Sequence, residues 1–484
     1  SAMIKVHELT GLSNVLDYYG ERGEVIEIDK EVDSECEVAG IIFALNALPT
    51  TPGVLFKNVK GYRFPVASCV LSERSRTCEI LGLPLSPLDF KEAFIKVSQN
   101  LIPPVRVQGG PCKEEICTRD FDALKMVPSI KATPDDGGKY FQPLVITKDP
   151  ETGTQNVAMN RAMLLQDNRV ILNVRNETGV GHDFRKCRKE GKPFEVALVV
   201  GAPLEMYIAA ATKLPLGENE LGLVGALRKK PVEVVKCETI DVDVPAEAGF
   251  VIEGVIEPPY EQSTEGPWPE FLRYLSIPQQ KPIMKITALT YRKDAVGYAI
   301  IAGTKENYTL RLSNDVAFYK YVKDLEPNFV VDAALTPGTA YWHHGIIQVK
   351  KDDYDFEGLQ IHVAMAAYGF SVYLETITIV DEDVNILDMN EIDWAVTTRC
   401  DPAEQIHIIR NVKTHRNNPI AGARELLDGS FVGKAKMIID ATVPWKYKNL
   451  KRGTSLPIFE RARFQNVTLK DYMSAHDYRR WINK

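Results

Sequence analysis

Hydrophobic and polar residues alternate along several stretches in the middle of the chain, which is typical of β-strands with one buried face. The alternation is clear over 250–256 and 283–290, and a longer strand is predicted over 232–244. Helix-like patches interrupt these strands at 206–212 and 221–227. The middle of the chain is therefore predicted to form a split β-barrel-like domain with attached helices.

The pattern differs on either side of this strand-rich middle. Residues 11–19 predict a helix and residues 26–29 predict a strand, as expected of a mixed N-terminal segment. Ser313 is predicted to cap a helix that ends at Leu325, and helices and strands then alternate, which indicates an α/β layer domain. A charged, aromatic helix is predicted over 468–482.

These patterns divide the chain into four segments and predict a mixed α/β (α+β) fold. A stretch rich in Pro, Asp and Gly near 130–140 indicates the first boundary. The predicted segments are an N-terminal α/β segment at 1–125, the split-barrel-like domain at 126–310, a C-terminal α/β domain at 311–460 and a C-terminal helix at 461–484.

Composition and charge narrow the class of protein. With 484 residues, 45% hydrophobic and 25% charged, the chain has the composition of an ordinary globular protein. Its net charge of -7 argues against a nucleic-acid or membrane-surface partner. No apolar stretch approaches the ~20 residues of a membrane span. The eight cysteines are scattered without a Cys-x-x-Cys pair, so we expect a cytoplasmic protein without structural zinc.

Two acids stand on either side of a stiff spacer, from Glu265 through Gly-Pro-Trp-Pro to Glu270. Prolines fix the backbone, so such a loop can hold two carboxylates in different environments. Different environments separate the two pKa values, as acid–base catalysis requires. A solvated turn with incidental acids is the competing interpretation, and spacing alone favours it.

Three further polar residues are candidates for a site. Arg161 lies between apolar stretches, so it needs either a carboxylate partner or an anionic ligand. Asn156 lies five residues earlier, and the chain must bend if both side chains are to converge. Glu220 precedes a helix-like run, where it either stabilises the helix dipole or binds a hard cation.

In their order and spacing, these segments resemble the UbiD family of reversible decarboxylases. The later segments look most like the branch that acts on hydroxybenzoates such as gallate or protocatechuate. The resemblance covers most of the chain. It runs through Asn156…Arg161, Lys189-Glu190-Gly191, the run from Glu220 to Ala226, 235–239, 251–254, Glu265…Glu270, 380–384 and 394–399.

The resemblance implies reversible, non-oxidative decarboxylation of an aromatic, heteroaromatic or α,β-unsaturated acid. It implies prenylated FMN, a divalent metal such as Mn2+, and K+ as cofactors. Such a cofactor is needed because no common side chain can absorb the charge left by CO2. The implied catalytic residues are Arg161, Glu265 and Glu270, and the implied metal ligands are Asn156 and Glu220. The implied cofactor-binding residues are Asn156, Ala158, Met159, Asn160, Arg161, Thr178, Thr212 and Glu220.

One position departs from the family pattern. The usual metal-binding His lies eighteen residues after the arginine, where this chain has Gly179. Either Glu177 or His182, which lie nearby, replaces this ligand, or a water molecule does, or the metal binds more weakly. We expect Glu177 to be the ligand, because a carboxylate suits a hard cation that also binds phosphate.

The family resemblance also implies partners: a small carboxylic acid substrate, a flavin prenyltransferase as cofactor supplier, and a homodimer or homohexamer. Two other classes compete with the decarboxylase interpretation. An FMN-binding oxidoreductase would need a nicotinamide site, and no nucleotide-binding glycine loop is evident in the sequence. A non-catalytic accessory homologue with a degenerate metal site would explain Gly179, but not the retention of Arg161, Glu265 and Glu270.

Overall fold

The structure is a computed structural model that describes residues 6, 9, 11–215, 217–429 and 432–482. Its α-helices are α1 (Leu12–Glu21), α2 (Glu37–Asn46), α3 (Arg74–Leu81), α4 (Pro87–Ser98), α5 (Ala123–Met126), α6 (Gly179–Glu190), α7 (Leu204–Ala210), α8 (Leu221–Arg228), α9 (Lys305–Thr309), α10 (Leu312–Leu325), α11 (Leu359–Ala367), α12 (Met389–Arg399), α13 (Pro402–Gln405), α14 (Pro419–Asp428) and α15 (Ala475–Trp481). Across these ranges, no helix combines the length and the apolar character needed to cross a membrane.

The β-strands supply four sheets and, with the helices, confirm the predicted mixed α/β class. They are β1 (Val25–Ile28), β2 (Gly53–Phe56), β3 (Val66–Ser68), β4 (Val105–Arg106), β5 (Glu115–Cys117), β6 (Tyr140–Phe141), β7 (Leu144–Lys148), β8 (Gln155–Met159), β9 (Ala162–Leu164), β10 (Arg169–Leu172), β11 (Phe194–Val200), β12 (Glu233–Lys236), β13 (Asp243–Pro245), β14 (Phe250–Ile256), β15 (Gln262–Glu265), β16 (Gln279–Tyr291), β17 (Gly297–Tyr298), β18 (Val330–Leu335), β19 (His344–Val349), β20 (Thr376–Asp381), β21 (Ile406–Lys413) and β22 (Gly433–Ala441).

A ten-stranded sheet forms the centre of the molecule. Its strand order is β6-β9-β10-β16-β14-β11-β7-β8, with β15 and β5 also paired to β16. The pairs β11–β14 and β14–β16 are antiparallel, and their apolar side chains fill the core around Phe250 and Leu198. The N-terminal region adds a sheet of order β1-β2-β3-β17, against which α1 packs Leu12, Leu16 and Tyr19.

The C-terminal region is a separate five-stranded sheet of order β18-β19-β20-β22-β21. The strands β19, β20 and β22 are parallel to one another, and α10 and α11 bury apolar residues against them. Parallel strands covered by helices are the arrangement expected of an α/β layer. The helix–strand alternation predicted for this region is therefore confirmed.

Three local predictions were wrong. The stretch 232–244 is a hairpin of β12 and β13 rather than one strand, because the Glu253 carboxylate accepts N–H bonds from Glu238 and Thr239 and holds a turn there. Ser313 lies inside α10 and donates to the Ala211 carbonyl, so it does not cap the helix. The predicted helix over 468–482 is broken, and Ser474 begins the short helix α15.

Candidate active site

A cavity of about 680 Å³ opens at one end of the ten-stranded sheet. Strand β8 forms one wall, and the others include the loops that precede α6, α8 and α10 and the loop between β15 and β16 that carries Glu270. The chain leaves β8 at Met159 and turns back into β9 at Ala162, which supplies the bend that Asn156 and Arg161 require. Of the predicted site residues, those lining the cavity are Asn156, Ala158, Met159, Asn160, Arg161, Glu177, Thr178, Thr212, Glu220 and Glu270.

Arg161 lies at the cavity wall between the two predicted acids. Its Nε and Nη2 donate to the two Glu265 carboxylate oxygens at 2.7 and 3.1 Å, and its Nη1 donates to Glu270 Oε1 at 2.9 Å. The Glu265 side chain is only 1% exposed and backs the arginine, whereas Glu270 reaches the cavity. The two carboxylates raise the pKa of Arg161 despite its burial, so the guanidinium stays charged.

The loop that carries both acids is tied to Arg161 by Ser276, which the sequence reasoning missed. Ser276 Oγ accepts N–H bonds from Arg161 Nη2 at 3.2 Å and from the Trp268 backbone at 3.0 Å. The backbone N–H of Ser276 donates to the Trp268 carbonyl at 2.8 Å. Gly266 adopts φ +90°, a left-handed conformation that side chains rarely allow. The acids therefore stand on a closed and constrained turn.

The opposite end of the cavity holds Asn156 and Glu220. Glu220 accepts the Val157 N–H at 2.7 Å, and no lysine or arginine of the described chain pairs with it. Burial raises the pKa of Glu220 to about 7. Asn156 Nδ2 is also buried without a hydrogen-bond partner. A half-buried carboxylate without a cationic partner and a neighbouring amide supply oxygen ligands that fit a bound cation.

Gly179, at the family's histidine position, lies directly against Asn156. A Cβ at Gly179 would lie 2.2 Å from Asn156 Oδ1, so a larger residue there would displace the amide. Glu177 lines the cavity, is 59% exposed and lies 3.5 Å from Arg175. Within the described ranges His182 is not part of the lining, and it instead approaches Asp149 and Asp183.

The other predicted cofactor-binding residues shape the space between these two ends. Thr178 caps α6 by accepting the Gly181 N–H at 3.2 Å. The N-terminus of this helix faces the cavity, because Thr178 and Gly179 belong to the lining. Asn160 donates to the Asn173 carbonyl at 2.9 Å, and Thr212 donates to the Ile208 carbonyl at 2.8 Å. Beyond these residues the structure adds aromatic and cationic groups to the wall, namely Trp268, Phe271, Arg175, Lys213 and Arg311.

Comparison with known proteins assigns the family. Models of 3-octaprenyl-4-hydroxybenzoate carboxy-lyase match the chain over 16–90 (N-terminal domain), 104–305 (Rift-related domain) and 307–441 (C-terminal domain). The UbiD-class enzyme HmfF from Pelotomaculum thermopropionicum, solved with FMN, is 30% identical with TM-score 0.85, and the match covers 96% of this chain and 100% of HmfF. The chain belongs to the UbiD family of carboxy-lyases.

Two more solved structures resemble this UbiD-family chain along its length. An evolved dimeric form of the same HmfF, in complex with prFMN, is 29% identical with TM-score 0.83, covering 97% of this chain and 100% of that one. The apo 3,4-dihydroxybenzoic acid decarboxylase of Klebsiella pneumoniae is 28% identical with TM-score 0.87, covering 97% and 100%. These UbiD-class structures confirm the family that the motifs indicated, and they identify the chain as a decarboxylase.

Proposed function

We propose that this UbiD-family decarboxylase removes CO2 from an aromatic, heteroaromatic or α,β-unsaturated acid with the aid of prenylated FMN. The reaction is non-oxidative and reversible in this proposal. The observation that carries it is the contact of Arg161 with both Glu265 and Glu270 at the wall of a cavity large enough for a cofactor and a small acid.

The cavity fits a flavin phosphate at one end and a reacting acid at the other. The N-terminus of the twelve-residue helix α6 faces the cavity beside Asn156, and helix N-termini favour phosphate. When bound, prenylated FMN would supply the electron sink for the charge left by CO2. A flavin prenyltransferase is the proposed supplier of this cofactor.

The proposed metal site lies beside the same helix end. Asn156 and Glu220 would hold a divalent cation such as Mn2+, and the burial of Glu220 without a cationic partner supports this choice. Glu177 is the proposed third ligand, because it lines the cavity while His182 points toward Asp149. We include K+ near the phosphate on the family resemblance alone.

Each member of the arginine cluster has its own proposed role. The two N–H bonds to Glu265 fix the plane of the Arg161 guanidinium. A substrate carboxylate would replace Glu270 as the acceptor of the hydrogen bond from Arg161 Nη1. Glu270 would thereby be released to take up a proton and donate it to the carbon that has lost CO2. Trp268, with its ring centroid 5.9 Å from the Arg161 guanidinium, shields the cluster.

The chain also offers a surface for self-association, which we propose as the route to a homodimer or homohexamer. Residues 449–482 expose large apolar side chains, including Phe464 at 90%, Tyr472 at 71% and Trp481 at 61%. Exposed aromatic residues at this density are typical of protein interfaces.

The test is to co-express the chain with a flavin prenyltransferase, identify the cofactor by mass spectrometry, and assay an acid panel for CO2 release. Glu270→Gln should keep the flavin spectrum but lose about 10²–10⁴ in turnover, the usual effect of losing a general acid. It should also abolish exchange of the product's carbon-bound hydrogen with deuterated water. A normal exchange rate in Glu270→Gln would show that Glu270 is not the proton donor.

A further inference from the structure

Arg311 is one of three arginines that line the cavity, with Arg161 and Arg175, and no carboxylate of the described residues is paired with it. Its Nε is buried and without a hydrogen-bond partner. Across the described residues, no carboxylate forms an ion pair with it and no side-chain hydrogen bond of it is present. Buried cations are normally paired, because desolvation of an unpaired charge is costly.

Two buried arginines of this chain are paired with carboxylates, and a third, Arg76, donates to the backbone carbonyls of Val70, Thr51 and Cys69. Arg228 is held by Glu205 and Glu247, and Arg399 is held by Asp381 and Asp383. Arg311 thus differs from these structural arginines in opening onto the cavity without a carboxylate. A half-buried cation with an unpaired, buried Nε at a ligand cavity is expected to gain its partner from the ligand.

Two aromatic rings fix the direction in which Arg311 can bind. The guanidinium carbon lies 4.3 Å from the Phe271 ring centroid and 4.5 Å from that of Trp342, and the two rings meet edge to face. Trp342 is itself stacked on Tyr373 with centroids 4.3 Å apart. Cation–π contacts offset part of the desolvation, but ring faces accept few of the N–H donors of a guanidinium.

The electrostatic surroundings favour an added anion. Burial, together with the charge of Arg175, lowers the pKa of Arg311 to about 10. Glu270 is the carboxylate close enough to oppose this shift, but it already accepts a bond from Arg161. A bound anion would therefore offset the repulsion between Arg311 and Arg175.

The position of Arg311 places that anion at the substrate end of the cavity. Phe271, on which Arg311 packs, directly follows Glu270, the proposed proton donor. Glu220 and Asn156, the proposed metal and phosphate end, belong to the helix α8 and strand β8 side of the cavity. The two cations Arg161 and Arg311 thus flank the turn that would meet the substrate.

We propose that Arg311 binds a second carboxylate of the substrate, so that the preferred substrate is an aromatic dicarboxylic acid. One carboxylate would be held by Arg161 and lost as CO2, and the other would be retained at Arg311. A guanidinium edge matches a carboxylate with two parallel N–H bonds. This inference rests on the proposed function, since it assumes that Arg161 takes the reacting carboxylate.

The test is a binding measurement on flavin-loaded protein, which requires no turnover. Benzene-1,3- and benzene-1,4-dicarboxylate would be titrated against 3- and 4-methylbenzoate, which have similar shapes but one charge. We expect at least one dicarboxylate to bind about tenfold or more tightly than its monoacid, as for a charge-assisted bond. Arg311→Met should remove that preference and change monoacid binding less than twofold.

One control variant and two further measurements separate the outcomes. Arg119→Met, which removes an exposed arginine outside the cavity lining, should retain the preference. An equal affinity for mono- and dicarboxylates in the unaltered protein, or a preference that survives Arg311→Met, would overturn the proposal. Loss of FMN binding to the flavin-free protein in Arg311→Met would also overturn it, by assigning the anion to the cofactor phosphate. Absence of CO2 release with the dicarboxylate preference intact would instead count against the proposed function.

Discussion

Arg161 and Arg311 line the same cavity, but Arg161 is paired with carboxylates of the described chain and Arg311 is not. Arg161 is satisfied within the protein by Glu265, Glu270 and Ser276. Arg311 has aromatic neighbours and no carboxylate among the described residues. The paired cluster is complete before any ligand arrives, whereas the unpaired cation gains its counter-charge only on binding. Glu220, a half-buried carboxyl group without a cationic partner among the described residues, is its counterpart at the other end of the cavity.

The comparison predicts a large loss of stability when Arg161 is replaced and almost none when Arg311 is replaced. Arg161→Met leaves Glu265, which is 1% exposed, without its cation and should lower the free energy of unfolding by about 3–5 kcal/mol. Arg311→Met leaves no carboxylate behind and should change it by less than about 1 kcal/mol. Urea unfolding of the flavin-free proteins measures both, and similar losses in the two variants would contradict the distinction.

The pH dependence of the free energy of unfolding tests whether Asp183 is a buried carboxyl group without a compensating charge. It is 4% exposed, accepts a bond from Thr147, and burial raises its pKa to about 6. Because the folded state then holds a proton that the unfolded state has released, the free energy of unfolding should fall as pH rises from about 4 to about 6. The loss should be about 3 kcal/mol relative to Asp183→Asn, and constant above that range. A constant difference between the two proteins across this range would contradict it.

Two matched variants test which residue near Gly179 is the third metal ligand. Glu177→Ala should weaken Mn2+ binding about tenfold or more, because it removes a proposed oxygen ligand. His182→Ala should change it less than twofold, since His182 lies with Asp149 and Asp183. Titration followed by electron paramagnetic resonance measures both affinities. A site emptied by His182→Ala alone would show that the choice of ligand is wrong.

Replacing Ser276 is expected to have the smallest effect on turnover of any change in the Arg161 cluster. Ser276→Ala removes the oxygen that accepts from Arg161 and from the Trp268 backbone, each bond contributing about 1 kcal/mol. Turnover should fall about three- to tenfold with an unchanged flavin spectrum, and Ser276→Thr should restore most of it. A loss of cofactor in Ser276→Ala would indicate a general role in folding instead.

Much of the fold followed from periodicity. The helix α1 and the strands β1, β14 and β16 lie where apolar spacing predicted them, because their buried faces repeat at helix or strand intervals. The hairpin at 232–244 escaped the same reasoning. Its turn is held by the Glu253 carboxylate, which belongs to β14. Nothing in the sequence around Glu253 indicates that it holds a turn at Glu238 and Thr239.

The sequence alone determined the chemistry that neighbours in the chain can encode. The Glu265 and Glu270 pair, the five-residue interval from Asn156 to Arg161, and Gly179 in place of histidine are all readable from local order. Glu265 and Glu270 share one short loop, and Asn156 and Arg161 share β8 and the turn after it, so the spacing within each pair constrains its geometry.

Only the tertiary structure decided which charges are paired. Arg161 meets Glu265 across 104 residues of chain, and Arg311 reaches the same cavity with Phe271 and Trp342 around it. Whether a buried arginine finds a carboxylate depends on the packing of distant segments, which local spacing does not encode. The physical reason is that desolvation and counter-charge act through space, so an unpaired cation such as Arg311 becomes visible only when every surrounding element is in position.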